Sequence, residues 1–327
     1  MRIVFVAEPG SRIRVRKGGI YIVTKKGERI AVTPDVDHVI VASSGISISA
    51  KALRYLARYG VDLAILDSTG YPVARLYPPY INKTVATRIA QYERILKGFG
   101  TYIASEIVYS KIFNQAQLLK YLAKNYREPW LRDVGYEVEA IATDLRMKSP
   151  GEIDREKIMS IEAHAARKYW QALASILPGD LGFRGRDPDS TDLFNLALNY
   201  GYGILYNVCE KALLLAGLDP YLGILHVVKS GRPSLTLDFV EMFRAVAVDK
   251  PLVINARRLD LRALGDRLDY ESRKMVAEVI LSNLDTKYRC SKSNRIAPLR
   301  DHIKREAWDL ARSFREGVKY KGFRVYL

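Results

Sequence analysis

The stretch DLFNLALNYGYGILYNVCEKALLLAGLDPYLGILHVVKSGRPSLTLDFVEMFR, Asp192 to Arg244, carries a helical apolar period from Leu193 to about Ala216. Gly217 stands where a helix ends on a residue free to take positive φ. A short apolar turn, Leu218 to Leu225, then delivers His226. Gly231 and Pro233 mark a loop, and Ser234 is expected to cap a second helix carrying Asp238 and Glu241. One imidazole and two carboxylates thus fall within one helix-loop-helix passage. Such a donor set suits a divalent cation.

Working outward, the 327 residues are 48% apolar, enough for a sizeable core and for two domains. No apolar run approaches the roughly 20 residues of a membrane span. The start MRIVFVAEPG lacks the regions of a secretory signal, so a soluble cytoplasmic protein is expected, with no membrane partner. Cys209 and Cys290 show no CxxC spacing, and the other histidines (His38, His164, His302) are scattered, which speaks against a disulfide framework and a structural zinc site.

A net charge of +16 points to a polyanion. From Lys287 onward twelve Lys or Arg face four acids, so that tail holds half the excess. Tyr288, Phe314, Tyr320 and Phe323 are interleaved with it, either as stacking partners for bases or as core residues; Trp308 is read as core.

Residues 1–76 read as β-rich. Ile3 to Val6 is a short buried strand, and Ile13 and Val15 alternate with Arg12, Arg14 and Arg16. Gly18-Gly19 and Lys25-Lys26-Gly27 turn the chain into Ile20 to Val23 and Ile30 to Val32. His38 to Ala42 and Val61 to Leu66 are further strands around a helix capped by Ser49. Tyr77-Pro78-Pro79-Tyr80 fits a linker over 77–83, since two prolines continue neither a ladder nor a helix. From 84 to 327 the period is about 3.6, with helices expected over 84–97, 102–126, 131–148, 155–177, 193–216, 270–283 and 299–314. The fold class is α+β: a small β-rich N-terminal domain, then a larger helical one.

On the 155–177 helix, Glu162 lies within the apolar stripe of Ile158, Ile161, Ala165 and Ala166. A carboxylate there needs a cation, a metal or a proton. Arg167 or Lys168 would supply a plain salt bridge; a shared metal with His226 and the two acids is the alternative. Asp238 and Glu241, three apart, share a helix face. Two or three carboxylates with an imidazole accept Mg²⁺ or Mn²⁺, and leave positions for phosphate and water. Asn195, Asn199, Tyr202 and Tyr206 form one face of the long helix, either donating to phosphates or packing against a neighbour.

The blocks FNLALNYGYGILY, AGLDPYLGILH and GRPSLTLDFVEMFR, with IEAHAARKYW and SSGISISAKALRYLARYGVDLAILDSTGYPVARL upstream, resemble the CRISPR-associated adaptation integrase family, the metal-dependent DNA endonuclease and integrase of spacer acquisition. The resemblance spans nearly the whole chain. It implies Glu162, His226 and Glu241 as catalytic metal ligands, Asp238 as the further acid of that helix, and Asn195, Tyr206 and Arg244 as contacts for nucleic acid. It implies transesterification: the 3′-OH ends of a captured duplex attack a CRISPR repeat. It further implies a homodimer paired through the β-rich domain and a small ferredoxin-like partner subunit. A non-catalytic basic nucleic-acid-binding protein with structural acids is the competing reading.

The charge reading carries its own check. Affinity for duplex DNA should fall by roughly 10³-fold between 50 and 200 mM salt, as neutralised phosphates release counterions. A salt-independent affinity in a filter-binding or fluorescence titration would contradict it.

Overall fold

Period-two alternation builds the first quarter of the chain. The computed structural model describes residues 2–33, 35–76, 85–145, 154–225 and 231–327. Eight strands precede the first long helix: β1 (Arg2–Val6), β2 (Arg12–Arg16), β3 (Gly19–Val23), β4 (Arg29–Val32), β5 (Val36–Val41), β6 (Ser47–Ile48), β7 (Asp62–Leu66) and β8 (Pro72–Leu76), with α1 (Ala50–Arg58) between β6 and β7. One sheet runs β1-β5-β7-β8, its first three strands parallel and β8 antiparallel to β7. The other runs β4-β3-β2-β6, with Ile13 opposite Ile22 in the hairpin. Ser49 caps α1 as expected, its hydroxyl accepting the Ala52 N–H at 3.2 Å. Arg12, Arg14 and Arg16 are exposed while Ile13 is buried.

Strand β5 shows how one sheet serves two cores. Its alternate residues Val39 and Val41 pack with Ile13, Ile22, Leu56 and Leu63. Ile40, on the opposite face, joins the helical core. His38 lies on that second face, fully buried, with Nε2 2.9 Å from Asp62. Asp62 also meets Arg75 of β8, which pairs at 2.6 Å with Glu210 of the helical part.

The expected helices follow: α2 (Val85–Leu96), α3 (Phe99–Tyr126), α4 (Pro129–Ile141), α5 (Arg155–Ala174), α6 (Leu193–Leu215) and α7 (Ser234–Arg244). After these come α8 (Lys250–Asn255), a small hairpin of β9 (Ala263–Leu264) and β10 (Arg267–Leu268), α9 (Tyr270–Asp285), a second hairpin of β11 (Lys287–Arg289) and β12 (Ile296–Pro298), and α10 (Leu299–Glu316). The α+β class stands as expected from the sequence. The expected linker, 77–83, falls outside the described residues. No described helix is long and apolar enough to cross a membrane.

Helix α3 is the axis of the helical part, buried along most of its length and packed on α4, α5 and α7. Helix α6 ends as predicted: Gly217 takes φ +85°, and its N–H and that of Leu218 return to Leu214 and Leu213. Two small deviations accompany this. Helix α7 begins at Ser234 rather than being capped by it; the serine hydroxyl lies 3.4 Å from the Arg232 carbonyl. Beyond Arg244 the helix widens into a π-turn, Ala245–Asp249, before Pro251. Proline has no N–H to return to the turn before it. The Asn283 amide supplies donors instead, at 2.8 Å to the Val246 carbonyl and 3.1 Å to that of Ala247.

The basic C-terminal tail is docked rather than loose. Tyr288, Phe314, Tyr320 and Phe323 are core residues, and the Asn114 side chain of α3 joins the Met242 and Phe323 carbonyls and the Val325 N–H. Trp308, expected inside, is the exposed aromatic of that set, at 47%.

The two glycines of the Gly201-Tyr202-Gly203 run have distinct reasons to be glycine. A Cβ on Gly201 would lie 2.7 Å from Val248, and one on Gly203 would lie 2.0 Å from the Gly70 carbonyl oxygen. The β7–β8 turn therefore presses backbone to backbone on α6. Gly203→Ala should cost about 3 kcal/mol or more, since both contacting atoms belong to main chain. Thermal unfolding should then begin about 5 °C lower or more; an unchanged melting curve would show that the contact is slack.

Candidate metal and nucleic-acid site

Three helices bring three charges to one point. Lys111 projects from α3, Glu162 from α5 and Glu241 from α7. The Lys111 ammonium lies 2.5 Å from Glu162 Oε1 and 2.7 Å from Glu241 Oε2. Arg244, one turn after Glu241, holds its other oxygen at 2.7 Å. Glu241 is buried and Glu162 largely so, with side-chain exposures of 4% and 19%. Burial works against the Lys111 ammonium, but Glu241 and Glu162 outweigh it and raise its pKa to about 12. Arg244 is likewise disfavoured by burial and more than restored by Glu241 and the tyrosines beside it, so its pKa is raised.

Helix α6 supplies the aromatic wall. Arg244 stands 4.7 Å from the Tyr202 ring and 5.6 Å from that of Tyr206, and its Nη2 donates to the Tyr206 hydroxyl at 2.5 Å. Arg186 approaches the Tyr202 ring at 5.4 Å. The Tyr202 hydroxyl donates at 2.6 Å to Asp249, which the π-turn aims inward, and Tyr169 donates to the same carboxylate at 2.7 Å. Burial pushes the Asp249 carboxyl up and both phenols well above their usual range. Arg186, Tyr202, Tyr206, Arg244 and Asp249, with Lys111 and Glu241, line a cleft of about 670 Å³ that also reaches Thr69 and Tyr71 of the β-rich part.

Not every residue singled out from the sequence faces this cleft. Asn195 is buried, and its amide is spent on the 185–192 loop: it donates to the Gly185 carbonyl and to Asp192 at 2.9 and 2.6 Å, and accepts from Arg186 at 2.9 Å and the Asp187 N–H at 3.1 Å. Asn199 accepts from the other Arg186 nitrogen at 2.6 Å. The Asn195 amide is therefore spent on the loop and on Arg186, whose guanidinium lines the cleft beside Asn199.

Asp238 shares a helix with Glu241 but is directed elsewhere. Its Oδ2 accepts the backbone N–H of Ile224 at 2.6 Å and of Leu225 at 2.9 Å. It anchors the two residues that lead directly to His226. His226 lies outside the described residues. Among the described residues no three His, Cys, Asp or Glu converge as a metal-binding group. Glu162 and Glu241 are the carboxylates that meet.

Three charged residues that line the cleft, Lys111, Asp249 and Arg186, carry no helical or family signal in the sequence reading. Lys111 is the one charged residue between Glu106 and Lys120, on an otherwise apolar and amide-bearing helix; that isolation was its signal. Asp249 likewise ends the apolar run AVAV. Arg186 sits in a loop with no period to mark it. The cation expected for Glu162 from Arg167 or Lys168 comes from Lys111, while Lys168 pairs with Glu137 at 2.7 Å.

The family model and the sequence relatives agree on one family. The model of CRISPR associated protein Cas1 matches residues 4–280. The chain is 45% identical to the CRISPR-associated endonuclease Cas1 of Hyperthermus butylicus, covering 99% of this chain and 98% of that one. It is 35% identical to a CRISPR-associated endonuclease Cas1 of Saccharolobus solfataricus, covering 100% and 99%. Among solved structures it shares its fold with a casposase bound to integration product, at TM-score 0.84 and 22% identity over 98% of this chain and 93% of that one. The same holds for a Cas1 protein of Thermotoga maritima, at TM-score 0.77 and 20% identity over 98% and 99%.

The Asp238 geometry yields an expectation independent of any catalysis. Asp238→Ala removes a charged acceptor from two backbone donors. Opening of the 224–225 backbone should become easier by about 3 kcal/mol, seen as roughly hundredfold faster amide exchange there. Unchanged exchange at Ile224 and Leu225 would remove Asp238 from this anchoring role.

Proposed function

Because this chain belongs to the CRISPR-associated protein Cas1 family, we propose that it is a metal-dependent DNA endonuclease and integrase of spacer acquisition. The observation that carries the reading is the meeting of Glu162 and Glu241, from two separate helices, on the Lys111 ammonium beside a cleft that carries Arg186 and Arg244. Buried carboxylates need such a charge, and the one these two share is the Lys111 amine on its flexible stem. Oxygen donors held this way suit Mg²⁺ or Mn²⁺, with His226 as the third expected ligand; the imidazole makes Mn²⁺ an apt occupant. When bound, the ion would polarise a phosphodiester and lower the pKa of an attacking hydroxyl.

The chain's own residues then have separable tasks. Glu162 and Glu241 would hold the ion, and Glu241 also pairs with Arg244 at the cleft wall. Arg244 and Arg186, each braced on the Tyr202 ring, bind phosphate oxygens and carry charge complementary to a phosphorane. Tyr206 orients Arg244 through its hydroxyl. Asp238 positions the backbone before His226. The 3′-OH of a short captured duplex attacks a phosphodiester at the end of a CRISPR repeat; one P–O bond forms as another breaks, and the leaving 3′-oxygen takes up a proton. With water in place of the 3′-OH the same arrangement cleaves. No nucleotide cofactor is required for an exchange of equivalent bonds.

The relatives' names, endonucleases of the same length and family, support the enzymatic reading over a purely DNA-binding one. Pairing of two copies through the β-rich residues 1–76, and work with a small ferredoxin-like partner subunit, are part of the same proposal. One solved relative of the fold is described as a Cas6-RT-Cas1–Cas2 complex.

The test is strand joining of a labelled duplex into a repeat-bearing supercoiled plasmid with Mn²⁺ or Mg²⁺, with and without the partner. Glu162→Gln, Glu241→Gln and His226→Ala should each lower joining and cleavage by about 10²-fold or more. Duplex binding should stay within a few-fold, and chelation should abolish turnover of the unmodified protein. Full activity in Glu162→Gln would refute the assignment; loss of binding in parallel with chemistry would favour structural acids.

A further inference from the structure

We propose that Lys111 is a tethered cation that occupies the seat between Glu162 and Glu241 and that a divalent metal must displace. The inference rests on the metal reading above and adds a competitor built into the chain.

Among the described residues two cations touch Glu241, and they are held differently. Arg244 has anchors that do not involve any carboxylate: the Tyr206 hydroxyl at 2.5 Å and the Tyr202 ring at 4.7 Å. These contacts hold its guanidinium on the α6 wall in addition to Glu241. For Lys111 the described partners are the two glutamates, at 2.5 and 2.7 Å. Its ammonium bridges the very oxygens a metal would need. Lys111 also lines the 670 Å³ cleft, so the four-carbon stem has open space to swing into. Helix α3 itself is fixed by the Asn114 contacts to α7 and the C-terminal tail, one turn from Lys111, so the stem moves while the backbone does not.

The arrangement settles a problem that any buried carboxylate pair poses. Without a cation, Glu162 and Glu241 would repel each other in a poorly solvated wall. Lys111 keeps them together and the helices in register before metal arrives. The same charge opposes metal entry, since a divalent ion and an ammonium cannot share two oxygens without strong repulsion. Displacement would add one positive charge to a wall already carrying Arg244 and Arg186. Metal and DNA binding would thereby favour each other, as linkage requires.

The experiment measures Mn²⁺ affinity of the intact protein by calorimetry and by electron paramagnetic resonance. Lys111→Met should bind Mn²⁺ about tenfold or more tightly than the unmodified chain. Lys111→Arg, which keeps the charge, should show no gain. Metal-free Lys111→Met should melt roughly 5 °C lower or more, and Mn²⁺ should restore more of that loss than it adds to the unmodified protein. Should Lys111→Met not fold, Lys111→Gln keeps hydrogen-bond donors and carries the same expected gain. Unchanged or weaker Mn²⁺ affinity in the neutral variants, beside measurable binding by the unmodified protein, would overturn the competition alone. No Mn²⁺ binding by any of the proteins would overturn the metal reading and this inference together.

Discussion

Two ionised carboxylates in a poorly hydrated wall cannot stand side by side without a positive charge between them. That constraint organises the helical part of this protein. It requires α3, α5 and α7 to approach within the reach of one lysine, and the packing of the three helices provides the approach. Arg244 then extends the balance outward: it neutralises the second oxygen of Glu241 and leans on Tyr202 and Tyr206. Asp249 takes the hydroxyl of Tyr202 behind that ring. From Glu162 to Asp249 the wall is a chain of groups, each held by the next.

Much of the architecture was legible because local physics enforces it. Gly217 ended α6 since only glycine enters that backbone region without strain. The alternation in β2 announced which side chains would be buried, the continuous apolar run of β5 announced burial on both faces, and Ser49 announced the start of α1. Trp308 was misplaced because an aromatic side chain was weighted over its phase. The buried face of α10 runs through Ile303, Ala307, Leu310 and Phe314, and Trp308 stands a hundred degrees off Ala307 on the helix. Ser234 was read as a cap because serine favours that position, but Pro233 occupies it.

The candidate site was legible in part, and the division is physical. Glu162 announced itself as an acid out of place on an apolar stripe. Glu241 and Arg244 came with a helix and a family pattern. Lys111 did not, because the need that places it there lies on two other helices; nothing within α3 states which charge it must answer. Asn195 shows the converse. Its position on the helix was correctly read, yet the direction of its amide depends on a loop, residues 185–192, whose course no periodicity encodes.

The meeting of Gly70 with Gly203 has a mechanical meaning. Main chain rests on main chain there, with no side chain between to yield. Such a contact behaves as a stiff bearing: a tilt imposed on the sheet at its β7–β8 end is delivered to α6 undamped, at the same turn of helix that carries Tyr202 and Tyr206. A tilt of the β-rich lobe would thereby bear on the helix face against which Arg244 leans.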